Sequence, residues 1–335
     1  MSELTRRNIV AGVAAGAAAT ALSPFATAIP ARAAAPAAGK QTAGWYRYKL
    51  GDYEITVVTD GVNKIAKLPD NFVVNAPKEQ VDAALKAAFL PAGALDIPYS
   101  PVVINTGSKL IVMDTGTGQA NFANSKGVAG QFHSNLAAAG IDAKAVDMVI
   151  ISHYHQDHIN GLVMADGSLG FPNAEILVPA AEHKYWLDDG EMSRAPAGRM
   201  EGLFKNNRRV FSGDVAKRVK TYEAGKEIAP GITSVASPGH TPGHTSYVVS
   251  SGSKTLFVQA DVTNVPFLFV RNPGWHAFFD QDAKLAEETR RKIYDMLATD
   301  KTMVQGFHYP FPAVAFVEKS GAGYREVMVP WNPTI

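Results

Sequence analysis

Four side chains able to bind a metal fall within six residues in the stretch Ser152-His153-Tyr154-His155-Gln156-Asp157-His158, directly behind the apolar run Met148-Val149-Ile150-Ile151. His153 and His155 are alternate residues, so on extended backbone they share a face and can converge on one ion. Asp157 and His158 can bind a second ion beside it. A polar, histidine-rich loop is the plain alternative, but donors at this density behind a buried strand make it the weaker reading.

Further donors appear later in the chain. Ser237-Pro238-Gly239-His240-Thr241-Pro242-Gly243-His244 is a Gly/Pro turn after a strand-like run, fit to present one imidazole to a metal while the other orients the loop. Asp261 ends the run Leu256–Gln259, where a carboxylate can bridge two cations, and His308, after Met303–Gln305, can close the second ion's donor set. Asp114 follows the run Lys109–Met113 abruptly; beside a metal motif it is read as the carboxylate that fixes a ligand imidazole from behind. The chain has no cysteine, which excludes thiolate ligands, disulfides and a cysteine nucleophile. It also lacks a Gly-x-Ser-x-Gly elbow, so water is the expected nucleophile. The catalytic roles then fall to Asp261, holding the ions together, and Asp157, which can also carry a proton.

The elements that must position these groups alternate between strand and helix. Tyr46–Leu50 and Tyr53–Asp60 read as a hairpin about Gly51-Asp52, and Val102–Asn105 and Lys109–Met113 as another about Thr106-Gly107. Helices are expected near Lys78–Phe89, Gly130–Ala139 and Ala180–Leu187, and Asp280–Ala298 carries the clearest amphipathic pattern, through Leu285, Ile293, Met296 and Leu297. Asp188–Arg209 is charged and reads as a lid or surface helix. Strands are expected at Glu175–Val178, Ile232–Ala236 and Thr245–Val249. His133, His183 and His276 are read as surface residues.

A chain of 335 residues with 46% hydrophobic and 19% charged content can bury a large core. Its net charge of +1, without a basic run, gives no nucleic-acid footprint. At the amino terminus Thr5-Arg6-Arg7 precedes an Ala/Gly-rich run from Ile9 to Leu22 and a small-residue cleavage site at Ala31-Arg32-Ala33. This pattern reads as a twin-arginine signal over residues 1–33, followed by a flexible leader at 34–43 and one domain at 44–335. The run is too short for the roughly 20 residues that span a bilayer, so an exported, periplasmic or secreted protein without a membrane span is expected. Removing Glu3, Arg6, Arg7 and Arg32 takes away a net +2, leaving the mature chain near −1.

The ordered set His-x-His-x-Asp-His, then Gly-His-Thr-Pro-Gly-His, then a strand-end Asp and a late His resembles the metallo-β-lactamase-fold hydrolase superfamily over nearly the whole mature chain. Within it the methyl parathion hydrolase branch is most similar, through Tyr48–Ile55, Asn105–Leu110, Phe171–Ala174 and Gly239–His244. The resemblance implies an αββα sandwich, an α/β fold with two sheets back to back and helices outside. It implies two divalent metal ions, zinc first, with His153, His155 and His240 on one, Asp157, His158 and His308 on the other, and Asp261 between them; His244 matches no ligand. A hydroxide held between the ions would attack a small uncharged ester, lactone or organophosphate. The likeness also implies Trp186 in the leaving-group pocket, with Phe204 and Phe267 as further aromatic wall, and a homodimer. Ala260 and Asn160 stand where the family usually has Gly. Asn264 replaces the Tyr found three residues after the bridging carboxylate in acyl-homoserine lactonases, which weighs against that substrate. True metallo-β-lactamases lack a bridging Asp at this position, which weighs against β-lactams. A lactonase, a β-lactam hydrolase and a non-catalytic metal-binding protein of the same fold remain the alternatives.

Overall fold

In the first hairpin, Gly51, at φ +59°, makes the turn between β1 (Trp45–Leu50) and β2 (Tyr53–Val58), a conformation that glycine adopts without a Cβ clash. The computed structural model describes residues 39 and 41–334, so the signal assigned to residues 1–33, and most of the leader at 34–43, lie outside the described residues. Next comes a two-stranded ribbon, β3 (Gly61–Ile65) with β4 (Leu95–Tyr99). Strands β5 (Val102–Asn105), β6 (Leu110–Met113), β7 (Met148–Ile150), β8 (Glu175–Pro179) and β9 (Val219–Tyr222) complete the first sheet, in the order β1-β2-β5-β6-β7-β8-β9. The second sheet runs in sequence order: β10 (Glu227–Ala229), β11 (Ile232–Ala236), β12 (Thr245–Ser251), β13 (Lys254–Ala260), β14 (Met303–Gly306), β15 (Val314–Ser320) and β16 (Gly323–Met328).

The period-2 alternation of the first sheet decides the layering. Val102, Ile104, Ile111, Met113 and Ile150 point to one face and pack against Tyr247, Val249, Leu256 and Val258 of the second sheet. Their neighbours Val103, Val112, Val149 and Ile151 point the other way, onto Phe132, Leu136, Trp186, Phe204 and Val210 from the outer helices. On the second sheet the outer layer is the helix Ala283–Asp300, which buries Ile293, Tyr294 and Leu297. Each such aliphatic side chain contributes about 2 kcal/mol by leaving water. The result is the αββα sandwich.

That helix starts at Ala283 rather than Asp280, because the Asp282 side chain caps it by accepting from Leu285 N at 3.0 Å. The segment read as a lid folds as two helices, Asp189–Arg194 and Arg199–Val210. Among the described residues no helix is long and apolar enough to cross a membrane.

The carboxyl ends of β6, β7, β11, β13 and β14 carry, in turn, Asp114, the His153–His158 stretch, the His240–His244 turn, Asp261 and His308. Two bonds tie the sheets together at this edge: Thr245 N donates to Ser152 O at 3.1 Å, and Tyr247 Oη donates to Ile151 O at 2.9 Å.

Candidate metal centre

After β7 the chain leaves the sheet through Ile151–Tyr154 and turns into the short helix Gln156–Ile159, with His155 on extended backbone just before it. The extended part puts His153 and His155 on one side, as alternation requires, and the helical turn brings Asp157 and His158 round beside them. His155 Nδ1 lies 3.1 Å from His153 Nε2 and 2.8 Å from His240 Nε2. A tetrahedral ion with bonds of about 2.0–2.1 Å sets its ligand atoms roughly 3.3 Å apart, so these nitrogens are nearly at the spacing one shared ion requires. Asp261 reaches both halves of the cluster, with Oδ2 3.3 Å from His240 Nε2 and 3.1 Å from His308 Nε2, and Oδ1 3.3 Å from His158 Nε2. Asp157 Oδ2 lies 3.6 Å from His158 Nε2 and 3.5 Å from His308 Nε2. The seven residues thus converge from both halves of the chain, in overlapping triads whose atoms lie within 4.8 Å of one another.

Two atoms test the fit of a metal. His158 Nε2 and Asp261 Oδ1 are buried and face each other at 3.3 Å, yet neither has a hydrogen-bond partner among the described residues. Orphaned polar atoms in a dry interior cost about 1–3 kcal/mol each, and a cation between them satisfies both. The donor set of imidazoles and carboxylates without thiolate suits divalent ions, and the residues present fit two of them.

Bonds from behind fix which nitrogen each imidazole offers. His158 Nδ1 donates to Asp114 Oδ2 at 2.8 Å, and His308 Nδ1 donates to Pro98 O at 2.8 Å. His240 Nδ1 lies 2.8 Å from Asp280 Oδ1, and Asp280 is paired in turn with the buried Arg290. Ser152 Oγ donates to Asp114 Oδ2 at 2.7 Å and accepts from His153 Nδ1 at 3.0 Å. All four rings therefore turn Nε2 inward, and His155 alone presents Nδ1. Asp114 stands where the sequence reading put it, behind a ligand imidazole. His244 faces elsewhere: its Nε2 accepts from Asp261 N at 3.0 Å, which leaves the ring proton on Nδ1, beside Ser237 O at 3.0 Å.

Burial and then neighbouring histidines push His153 and His155 well below the ordinary histidine value, towards the neutral form that binds metal. Burial likewise holds His244 down at about 3. For His158 and His308 burial opposes a proton, but Asp261 and the carboxylates around it outweigh it and hold both raised. Asp261 is itself penalised by burial, yet His308 and His158 keep it well below the carboxylate range.

Glu182, which the sequence reading passed over, joins the two histidine loops. It is fully buried on the helix Ala180–Leu187. Its Oε1 accepts from Tyr154 N, between His153 and His155, at 2.9 Å and from Trp186 Nε1 at 2.7 Å. Its Oε2 accepts from Thr241 Oγ1 at 2.8 Å and Gly243 N at 2.9 Å, both between His240 and His244. Gly243 is required here, since a Cβ would stand 2.1 Å from Glu182 N. One signal could have found it: Glu182 lies four residues before Trp186, hence on the face that a buried tryptophan marks as interior. Asp280 and Arg290 offered no such sign.

A cavity of about 740 Å³ opens over the cluster, lined by His155, Asp157, His240, Asp261 and His308 at its floor and by Phe72, Ile97, Tyr99, Leu203, Phe278 and Phe279 on its walls. Trp186, Phe204 and Phe267 do not line it. Trp186 and Phe204 are 0% exposed and pack together in the helix layer, while Phe267 packs against Leu268 and its neighbours under the rim. The aromatic wall comes instead from Phe278 and Phe279, further along the same Phe-rich segment, because the helix Pro266–Phe269 turns Phe267 away. His133, His183 and His276 are half-buried rather than on the open surface, each bonded to a neighbour: Gly161 O, Tyr154 Oη and Glu287.

An αββα sandwich with a His/Asp cluster at the strand ends, beneath a cavity, defines a metallo-hydrolase. Residues 96–299 match the model of the metallo-beta-lactamase superfamily, and the chain belongs to that superfamily. An N-acyl homoserine lactonase of Bacillus sp is 25% identical over 241 residues, covering 66% of this chain and 85% of that protein. The N-acyl homoserine lactonase AttM of Azorhizobium caulinodans is 33% identical over 139 residues, 39% of this chain and 47% of its own. Among solved structures, AidC, a dizinc quorum-quenching lactonase in complex with a product, N-hexanoyl-L-homoserine, is 26% identical with TM-score 0.80, covering 86% of this chain and 98% of that one. The hydrolase AbOPH is 29% identical with TM-score 0.80, over 88% and 100%.

Proposed function

We propose that this metallo-hydrolase opens lactone rings, N-acyl homoserine lactones first among them. The observation that carries the reading is the likeness to N-acyl homoserine lactonases along most of their own length, joined to a structural match with a dizinc lactonase holding its ring-opened product. This outweighs the argument from Asn264. The phosphotriester reading keeps only its sequence motifs.

In this reading His153 Nε2, His155 Nδ1 and His240 Nε2 hold one ion, Asp157, His158 Nε2 and His308 Nε2 the other, and Asp261 both; zinc is the expected metal. Bound divalent ions supply a water of near-neutral pKa and polarise a carbonyl oxygen. The chain's own groups do the rest. Phe72, Ile97, Phe278 and Phe279 cover an acyl chain and keep water from it, and the cavity's volume exceeds what a short acyl lactone fills. Asp157, whose side chain is 24% exposed where Asp261 is 3%, is the acidic group open to the cavity. It takes the proton from the attacking water and returns it to the ring oxygen as the C–O bond breaks.

The test is a panel of acyl homoserine lactones, aryl esters and aryl phosphotriesters with purified, zinc-loaded protein, beside elemental analysis. Preference for lactones with two metals per chain is the expected result. Turnover of phosphotriesters alone overturns the assignment, and inertness to every substrate returns the non-catalytic alternative. Export through the twin-arginine route belongs to the same proposal: Arg6→Lys with Arg7→Lys should leave the activity inside the cell, and unchanged periplasmic activity refutes it. A homodimer, which rests on the family likeness, is tested by sedimentation.

A further inference from the structure

Tyr99 ends β4 in a position fixed from several sides. The residue before it, Pro98, accepts the hydrogen bond from His308 Nδ1 at 2.8 Å, so this strand both orients a floor histidine and sets Tyr99 next to it. The Tyr99 ring meets the His308 ring edge-on at 5.6 Å between centroids and lies 6.3 Å from that of Phe307. Its carbonyl oxygen accepts from Asp60 N at 2.9 Å and Thr59 Oγ1 at 3.0 Å. The side chain is rigid, on a strand, and packed against the cluster.

Its hydroxyl is left over. Tyr99 is only 9% exposed and lines the cavity with Asp157 and Asp261, yet its phenol bonds to no described residue. Other buried tyrosines, Tyr154, Tyr247, Tyr294 and Tyr309, each spend their hydroxyl on a protein partner. Tyr48 also lacks one, but its hydroxyl is enclosed and Tyr48 does not line the cavity. A phenol, with an ordinary pKa of about 10, keeps its proton at neutral pH and can donate. No described side chain holds this donor, so a ligand entering the cavity can accept from it without displacing a protein partner.

We propose that Tyr99 is a catalytic residue: its hydroxyl donates a hydrogen bond to the carbonyl oxygen of the bound lactone, a bond that tightens as attack places negative charge on that oxygen. The role rests on the lactonase reading above. A fixed donor held against a growing charge, with no protein partner to give up first, contributes more in the transition state than in the bound substrate. Loss of the hydroxyl therefore falls on kcat rather than KM.

The experiment compares Tyr99→Phe with wild type on an acyl homoserine lactone and on the matching thiolactone, which keeps the carbonyl and replaces the ring oxygen by sulfur. Metal content, thermal midpoint and affinity for the ring-opened product are measured on the same samples. Phe keeps the ring against His308, so two metals per chain, an unchanged midpoint and product affinity within threefold are expected. The expected kinetic result is a drop in kcat of roughly 100-fold on both substrates with KM nearly constant. An undiminished kcat overturns the assignment while leaving the lactonase reading intact. A loss confined to the oxygen lactone overturns it too, by moving the contact to the leaving oxygen, and metal loss on substitution makes Tyr99 a support of His308 instead. Wild-type protein inert to both substrates sinks the lactonase reading, and this role with it.

Discussion

Glu182→Ala should loosen both metal-bearing loops at once, because one carboxylate holds each of them. The substitution strands four donors: Tyr154 N, Trp186 Nε1, Thr241 Oγ1 and Gly243 N. At about 1–3 kcal/mol for each stranded donor the upper range is large, but water entering the vacated space recovers part of it, and a net loss of about 4 kcal/mol is expected. For a domain of this size that lowers the thermal midpoint by roughly 10 °C. Metal affinity should fall by about 10- to 100-fold, as it does when groups that orient ligands are removed. Glu182→Gln keeps the shape but points an amide NH2 at two of the donors, so about half the loss is expected.

The same pair of proteins gives a pH test. Burial holds the Glu182 carboxyl above its ordinary value of 4.5, against the four hydrogen bonds that lower it. Ionising it is therefore harder in the fold than in the unfolded chain. That contribution favours folding below 4.5 and is lost as pH rises through the raised value, whereas Gln does not titrate. The stability advantage of wild type over Glu182→Gln should narrow over that climb. Urea unfolding across pH, with metal content by elemental analysis, checks both claims. An alanine variant within about 1 kcal/mol of wild type and holding its metals would refute the clamp.

Asp261→Ala should lose metal and nearly all turnover, while His244→Ala, which removes the acceptor for Asp261 N and the ring's bond to Ser237 but none of the assigned ligands, should be milder by at least tenfold in metal affinity; equal and complete loss would mean the ligand assignment is wrong. Ala260 sits at φ +50°, where a side chain is strained, so Ala260→Gly should raise stability by roughly 0.5–1 kcal/mol in thermal unfolding, the relief of strain exceeding the entropy cost of glycine. Because Asp261 and its neighbouring carboxylates hold His158 and His308 raised against the effect of burial, the metal-free protein keeps protons there to higher pH than a free histidine does. Metal loading must expel them, and calorimetric titration in two buffers of different ionisation enthalpy should show proton release, growing less as pH rises through the raised values; no buffer dependence would contradict it.

How much could be read in advance depended on how local each signal was. His153, His155, Asp157 and His158 fall within six residues, so their convergence follows from alternation and a single turn of helix. Strand faces were legible for the same reason: Val102 and Ile104 against Val103, or Ile150 against Val149 and Ile151, alternate within a few residues. The aromatic wall was not. Trp186, Phe204 and Phe267 are chemically as suitable for a pocket as Phe278 and Phe279, and only the packing of the helix layers and the turn of Pro266–Phe269 assigns the first three to the interior.

By itself, then, the order of residues determined the chemistry: which donors exist, that no thiol or serine elbow competes with water, and where each strand delivers its polar end. The meeting of those ends was a tertiary decision. His240, Asp261 and His308 reach His153–His158 only because two sheets pack face to face with these strand ends at one edge, and Glu182, Asp280 and Tyr99 gain their roles only from what lies beside them there. Burial is what separates the two. An isolated carboxylate or phenol in sequence is an ordinary surface group, and it becomes a clamp or a free donor once the surrounding fold removes water and fixes its partners, or leaves it without one.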